Sequence, residues 1–168
     1  ASTGLAEAPR LPGHATGGVR LRDVLRRPPV IGLMAAAFLM SAAHGALYVF
    51  YSIHLVDHGY STTMVGLLWS LGVMAEILVF LRLGLVLRRA SIRGLLLLCL
   101  LVAAVRFALI GLWVGHPVVA VVAQLMHGVT FGVMHAACVS GLNRWFGPAQ
   151  QSRAHALYSS ASFGGGGL

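Results

Sequence analysis

Four long apolar stretches are the feature of this sequence that most limits how the chain can fold. They cover about residues 29–54, 63–87, 92–114 and 117–140. Each is long enough to cross the roughly 30 Å hydrocarbon core of a bilayer as a helix, which takes about 20 residues. A fifth stretch begins near residue 155 and has only about 14 residues left before the end of the sequence, which is too short to cross.

These stretches are expected to be helices. Strands of a membrane barrel alternate polar and apolar residues, which these stretches do not, and an open sheet edge is not tolerated in lipid. The composition agrees, because 58% of the residues are hydrophobic and 10% are charged, whereas soluble domains have about 25% charged residues. We therefore predict an all-α integral membrane protein, and we exclude a soluble or disordered chain.

The basic residues predict the orientation of the chain. All twelve are arginines, and eleven fall on one side of the predicted spans. The connections at 56–62 and 115–116 contain none. Cytoplasmic loops are enriched in Lys and Arg, so we expect residues 1–27 to be a flexible cytoplasmic loop or linker of a multi-pass inner-membrane protein. The charge indicates topology, and no nucleic-acid partner is expected.

The polar residues inside the apolar stretches that bear most on function are Glu76, Arg106, His44, His127 and His135. Ionisable residues are costly in lipid and mark candidate functional sites. A rise of about 1.5 Å per helical residue places all of them except His135 near the middle of the bilayer. We expect them to meet in one buried site. Two structural alternatives stay open: an ion pair between Glu76 and Arg106, and a His44 side chain that only bonds a carbonyl.

The fourth stretch has a ridge of small residues at a spacing of four: Gly128, Gly132, Ala136 and Ser140. Such a ridge is typical of close packing between membrane helices. His127 lies on the adjacent face, so this helix is predicted to pack tightly on one side and to present a histidine beside it.

No metal or cofactor is expected. Cys99 and Cys138 lie within apolar stretches and are predicted to be small buried hydrophobes. No spacing of Cys and His matches a zinc site. A haem bound by His127 or His135 would need further ligands on other helices.

Four motifs resemble the carboxyl-terminal half of a major facilitator superfamily transporter, closest to the phenylpropionate-transporter-like branch, which is related to the nucleoside/proton and lactose permease symporters. They are SAAHGALYVFYS at 41–52, GLLWSLGVMAEI at 66–77, AQLMHGVTFGVMHAA at 123–137 and ALYSSASFG at 156–164. The resemblance implies that residues 28–168 form a carboxyl-terminal transmembrane bundle, with helices 7 to 10 and the start of helix 11 of a twelve-helix fold. The chain would then be a fragment whose partner is the amino-terminal half of the same polypeptide.

The resemblance also implies roles for individual residues. In the lactose permease a Glu on helix 8, an Arg on helix 9 and a His on helix 10 serve proton coupling and sugar binding. Glu76, Arg106 and His127 stand on the matching helices. The permease has a second Glu one turn after that His, where this chain has Thr130.

We therefore predict a secondary transporter, not an enzyme, that couples protons to a small organic solute such as an aromatic acid, a nucleoside or a sugar. The predicted substrate contacts are His44, Arg106, Gln124 and His127, and Glu76 is expected to carry the proton. Two other classes stay open: a helical membrane scaffold that transports nothing, and a membrane haem protein or enzyme that uses the histidines.

Overall fold

The structure is a computed structural model that describes residues 21–165. Within that range the chain is helical and contains no strand, which confirms the predicted fold class. The helices are α1 (Leu21–Leu25), α2 (Pro28–Asp57), α3 (Thr62–Arg89), α4 (Ile92–Trp113), α5 (Pro117–Leu125), α6 (Met134–Trp145) and α7 (Pro148–Ser159). Two π-helical segments follow α5 and α7: π1 (Gly128–Val133) and π2 (Ser160–Gly165).

Four helical rods are long and apolar enough to cross a membrane: α2, α3, α4 and the continuous run Pro117–Trp145. Their starts have ordinary chemical causes. Proline occupies the first turn of α2 and of α5, where its missing N–H costs nothing. The Ser61 and Ser91 hydroxyls accept hydrogen bonds from the backbone N–H groups of Met64 and Gly94, in the first turns of α3 and α4.

Several boundaries differ from the hydropathy prediction. The fourth rod extends to Trp145, five residues past the predicted end, and α7 begins at Pro148 instead of near residue 155. At the end of the fourth rod the helix continues through polar residues after the apolar stretch has ended. At α7 the helix begins in polar residues before the apolar stretch starts, so hydropathy alone detects neither boundary.

The segment predicted to be flexible contains a short helix, α1, where it meets the bundle. Val24 is buried, and Leu21 and Leu25 pack against the same apolar core. Apolar residues at spacings of three and four share one helical face, which explains the docking. Residues 1–20 of the predicted loop lie outside the described residues.

Two apolar clusters form the core, one near each end of the bundle. The first joins the amino-terminal halves of α2 and α4 to α6, and it includes Leu33, Cys99 and Leu142. The second joins the other halves of α2 and α4 to α5, and it includes Leu55 and Ala120.

A buried polar layer separates these clusters. His44 on α2, Arg106 on α4 and Thr130 in π1 each lie, along their own helix, between members of the first cluster and members of the second. The fold therefore encloses the polar residues between two apolar layers.

The fourth rod packs closely on α3. A Cβ on Gly128 would lie 2.7 Å from the Ala75 carbonyl oxygen, and one on Gly132 would lie 3.3 Å from a methyl of Val79. Of the other ridge residues, Ala136 is buried and Ser140 is half-buried. The next very close approach is at Gly141, where a Cβ would lie 2.6 Å from Leu33 on α2.

Candidate functional site

Arg106 is the centre of the buried polar layer, with none of its surface exposed. Its Nε donates a 2.8 Å hydrogen bond to the Ala123 carbonyl. Its Nη1 lies 3.4 Å from both His44 Nε2 and Thr130 Oγ1, while Nη2 has no hydrogen-bond partner within residues 21–165. Because a guanidinium stays charged in proteins, this is a buried cation with one donor group left open.

The backbone explains why Arg106 is held at this point. Ala123 lies in the last turn of α5, just before the fourth rod departs from α-helical geometry. Its carbonyl oxygen accepts the 2.8 Å bond from Arg106 Nε, so the main chain of the fourth rod binds and orients the guanidinium.

His44 is fixed in one tautomer by its two neighbours. Its Nδ1 lies 2.9 Å from the Met40 carbonyl, which can only accept, so Nδ1 carries the proton. Nε2 is then free to accept from Arg106 Nη1. The carbonyl bond that the sequence left open as an alternative is present, and the ring contacts Arg106 as well.

His127 lies beside His44 in the same layer. The two ring centroids are 5.4 Å apart, and His127 stacks on Phe131 with centroids 5.6 Å apart. His127 Nδ1 is buried and has no hydrogen-bond partner in the part of the chain that the structure describes.

Gln124 and Tyr51 add further polar groups that have no hydrogen-bond partner among the described residues. Gln124 is almost completely buried, and its amide packs where Gly72 on α3 leaves room for it. The Tyr51 hydroxyl faces this amide, yet the pair makes no hydrogen bond of good geometry. Buried polar atoms without partners are rare in native proteins. Several of them around one cation indicate a place for a polar ligand.

Glu76 stands apart from this cluster. It is half-buried on α3, and its Cγ lies beside Gly132 of π1. Within residues 21–165 the hydrogen-bond partners of Arg106 are Ala123, His44 and Thr130, so the ion pair considered between Glu76 and Arg106 is not formed. The alternative of a helical scaffold that transports nothing therefore loses the structural ion pair on which it was based.

Two tyrosines near the site, Tyr48 and Tyr51, were not predicted from the sequence. Tyr48 lies within electrostatic range of both Glu76 and Arg106, and Tyr51 lies next to Gln124. They follow His44 by four and seven residues, a spacing that puts all three on one face of α2. This periodicity was available in the sequence.

The π1 segment was also missed. Here the Thr130 hydroxyl donates to the His127 carbonyl at 3.2 Å, and the Cys99 thiol donates to the Val129 carbonyl at 3.4 Å. π-helical turns are rare and often occur at functional sites. In this protein π1 presents Thr130 to Arg106 and Gly132 to Glu76.

His135 lies outside the cluster, and its Nδ1 contacts the Tyr158 hydroxyl at 3.1 Å. Both cysteines are buried and free. Across residues 21–165, no group of three or more His, Cys, Asp or Glu side chains is placed to hold a metal ion.

Four rods that are long and apolar enough to cross a membrane, with a buried cation among them, are typical of a multi-pass α-helical membrane protein. The particular family follows from comparison with known sequences. The model of the MFS_1 like family matches residues 7–168, so the chain belongs to this family of the major facilitator superfamily of transporters, as the four motifs predicted.

One relative is the probable 3-phenylpropionic acid transporter of Escherichia coli (strain K12). It is 37% identical over 135 residues, which cover 79% of this chain. The match covers 34% of the relative, so this chain spans about a third of its length. No solved structure gives a significant match to the chain.

Proposed function

We propose that the full-length protein is a proton-coupled secondary transporter for a small organic carboxylate such as 3-phenylpropionate. The observation that carries the proposal is Arg106, a buried cation whose Nη2 has no partner in the described residues. A buried charge without a counter-charge is strongly destabilising, and a carboxylate from the solute would supply that counter-charge. In this family of folds, substrates bind near the bilayer midplane between two halves that alternate in access.

The contacts of Arg106 suit exchange with a ligand. The 2.8 Å bond from Nε to Ala123 holds the guanidinium in place. The two contacts of Nη1, both at 3.4 Å, lie at the weak end of hydrogen bonding. A carboxylate bound to Nη1 and Nη2 would form two shorter, charge-assisted bonds and would replace those weak contacts.

Glu76 is the proton carrier in this proposal. Of the acidic residues in the described chain, Asp23 lies in α1 and Asp57 ends α2, which leaves Glu76 within the body of a span. Its side chain lies beside Gly132 and makes no ion pair with Arg106 within residues 21–165. Protonation would lower the cost of moving this group through a closed, water-free site. Gln124 and His127 would orient the solute.

The distribution of arginines supports an inner-membrane location with the α1 end of the described chain in the cytoplasm. The partners in this proposal are the solute, protons, the bilayer and the amino-terminal half of a longer polypeptide. The last of these agrees with the one-third coverage of the relative.

The test is uptake of radiolabelled 3-phenylpropionate by the full-length protein in proteoliposomes, with and without a pH gradient and a protonophore. Glu76→Gln should abolish uphill accumulation and keep solute exchange, whereas Arg106→Gln should abolish both. The matched controls are Asp57→Asn and Arg153→Gln, which make the same chemical changes at exposed positions. Unchanged uphill uptake in Glu76→Gln would overturn the role of Glu76, and unchanged exchange in Arg106→Gln would overturn the carboxylate site.

A further inference from the structure

A cavity lined largely by rings lies next to the Arg106 cluster. It has a volume of about 180 Å³. A cavity of about 150 Å³ in another protein holds benzene, so this one has room for a single aromatic ring. Its lining includes Met40, Ser41, His44, Tyr48, Phe131 and Phe163.

The lining has the chemistry that favours a flat aromatic group. Tyr48, Phe131 and Phe163 offer ring faces and edges, and rings prefer offset or edge-to-face contact with one another. Met40 adds a thioether carbon chain, and sulfur makes favourable contacts with aromatic edges. The rings are held in place by their neighbours, because Tyr48 packs on Trp69 with centroids 5.7 Å apart and Phe131 stacks on His127.

His44 lies between the cavity and the cation and contacts both. Its ring lines the cavity, and its Nε2 faces Arg106 Nη1 at 3.4 Å. A solute that displaces this weak contact with its carboxylate therefore has the ring cavity directly beside it. A larger cavity of about 540 Å³, lined by Pro28, Arg93 and Trp145 among others, includes none of the residues bonded to Arg106.

We propose that this cavity is the subsite that receives the aromatic ring of the solute. The inference rests on the proposed carboxylate site at Arg106. The carboxylate takes Nη1 and Nη2 of Arg106, His44 gives up its contact with Nη1, and the ring enters between Tyr48 and Phe131.

The test measures binding of 3-phenylpropionate, butyrate and 3-phenylpropanamide to the purified full-length protein. Ser41→Leu fills the cavity, and Ser41→Ala is the control that leaves it open. We expect Ser41→Leu to weaken 3-phenylpropionate at least about tenfold, since burial of a ring is lost, and to leave butyrate within about twofold of wild type. The amide should lose affinity at Ser41→Leu and lose less affinity than 3-phenylpropionate at Arg106→Gln, because it lacks the charge.

The outcomes separate the two proposals. Equal effects of Ser41→Leu on 3-phenylpropionate and butyrate, or no effect on either, overturn the ring subsite. Carboxylate binding that survives Arg106→Gln overturns the carboxylate site instead. If Ser41→Leu binds no butyrate and has lost its fold, Phe131→Leu decides: a selective loss of 3-phenylpropionate supports the subsite, and unchanged selectivity overturns it.

Discussion

The side chain of Arg106 is bonded through Nε to the main-chain carbonyl of Ala123 at 2.8 Å. This bond ties the buried cation of α4 to the fourth rod, just before that rod changes from α to π geometry. The position of the charge therefore depends on the backbone of another helix, and both terminal nitrogens remain available for exchange.

Arg106→Lys should weaken 3-phenylpropionate binding about 10–100-fold, because a lost charge-assisted hydrogen bond contributes about 1.5–3 kcal/mol. Lysine keeps the charge but lacks the planar fork that binds a carboxylate through two nitrogens while a third bonds Ala123. Equilibrium binding by the full-length protein measures the effect, with Arg153→Lys as the exposed control. Wild-type affinity in Arg106→Lys would show that the fork is not used.

Gly128→Ala should destabilise the protein by about 1–3 kcal/mol, the usual cost of overpacking. The new Cβ would lie 2.7 Å from the main-chain oxygen of Ala75, so α3 and π1 would have to separate. Thermal unfolding in detergent measures the loss. Gly84→Ala on α3 is the matched control, since nothing lies within 4 Å of its Cβ position, and it should be neutral or slightly stabilising.

Thr130→Val should lower the free energy of unfolding by about 0.5–1.5 kcal/mol, the usual net contribution of a hydrogen bond. The hydroxyl accepts from Arg106 Nη1 and donates to the His127 carbonyl, and valine nearly keeps its shape. Thr130→Ser retains the hydroxyl and should lose less. If the serine variant is less stable than the valine variant, the methyl group is the part that matters.

Tyr60→Phe should cost about 1 kcal/mol at pH 8, because the buried hydroxyl donates a 2.7 Å bond to the Val114 carbonyl. Burial raises the pKa of Tyr60 above its usual value of 10.0, so the folded state favours the protonated phenol. This contribution is complete below the pKa of the unfolded chain and is lost as the pH rises through the pKa of the folded state. Urea unfolding from pH 8 to 11 should show the gap between wild type and Tyr60→Phe narrowing above about pH 10. A gap independent of pH would contradict this.

The architecture was predictable because spans are long and their signal is additive. Twenty apolar residues outweigh local exceptions, and the four predicted stretches correspond to the four rods apart from residues at their ends. The short helix α1 was not predictable in this way. A helix of five residues is not stable in isolation, and α1 packs against the bundle through the buried side chain of Val24.

For the site, the sequence predicted which residues come together but did not predict the directions of their side chains. Depth along each helix brought His44, Arg106 and His127 to one level, and the structure brings these three together. Depth does not fix the direction in which a side chain leaves its helix, so Glu76 was also expected in the cluster and lies beside it. The π1 segment changes that direction further, because an i+5 turn rotates every later residue relative to an α-helix.

The two apolar clusters have a consequence for how this bundle resists leakage. Water or a hydronium ion entering from either end of the described helices meets the apolar side chains of one cluster before it reaches the buried cation. The cavity beside His44 is instead bounded by α2, π1 and π2, so in the proposed mode of binding the solute approaches the charge from the side of the bundle, past His44.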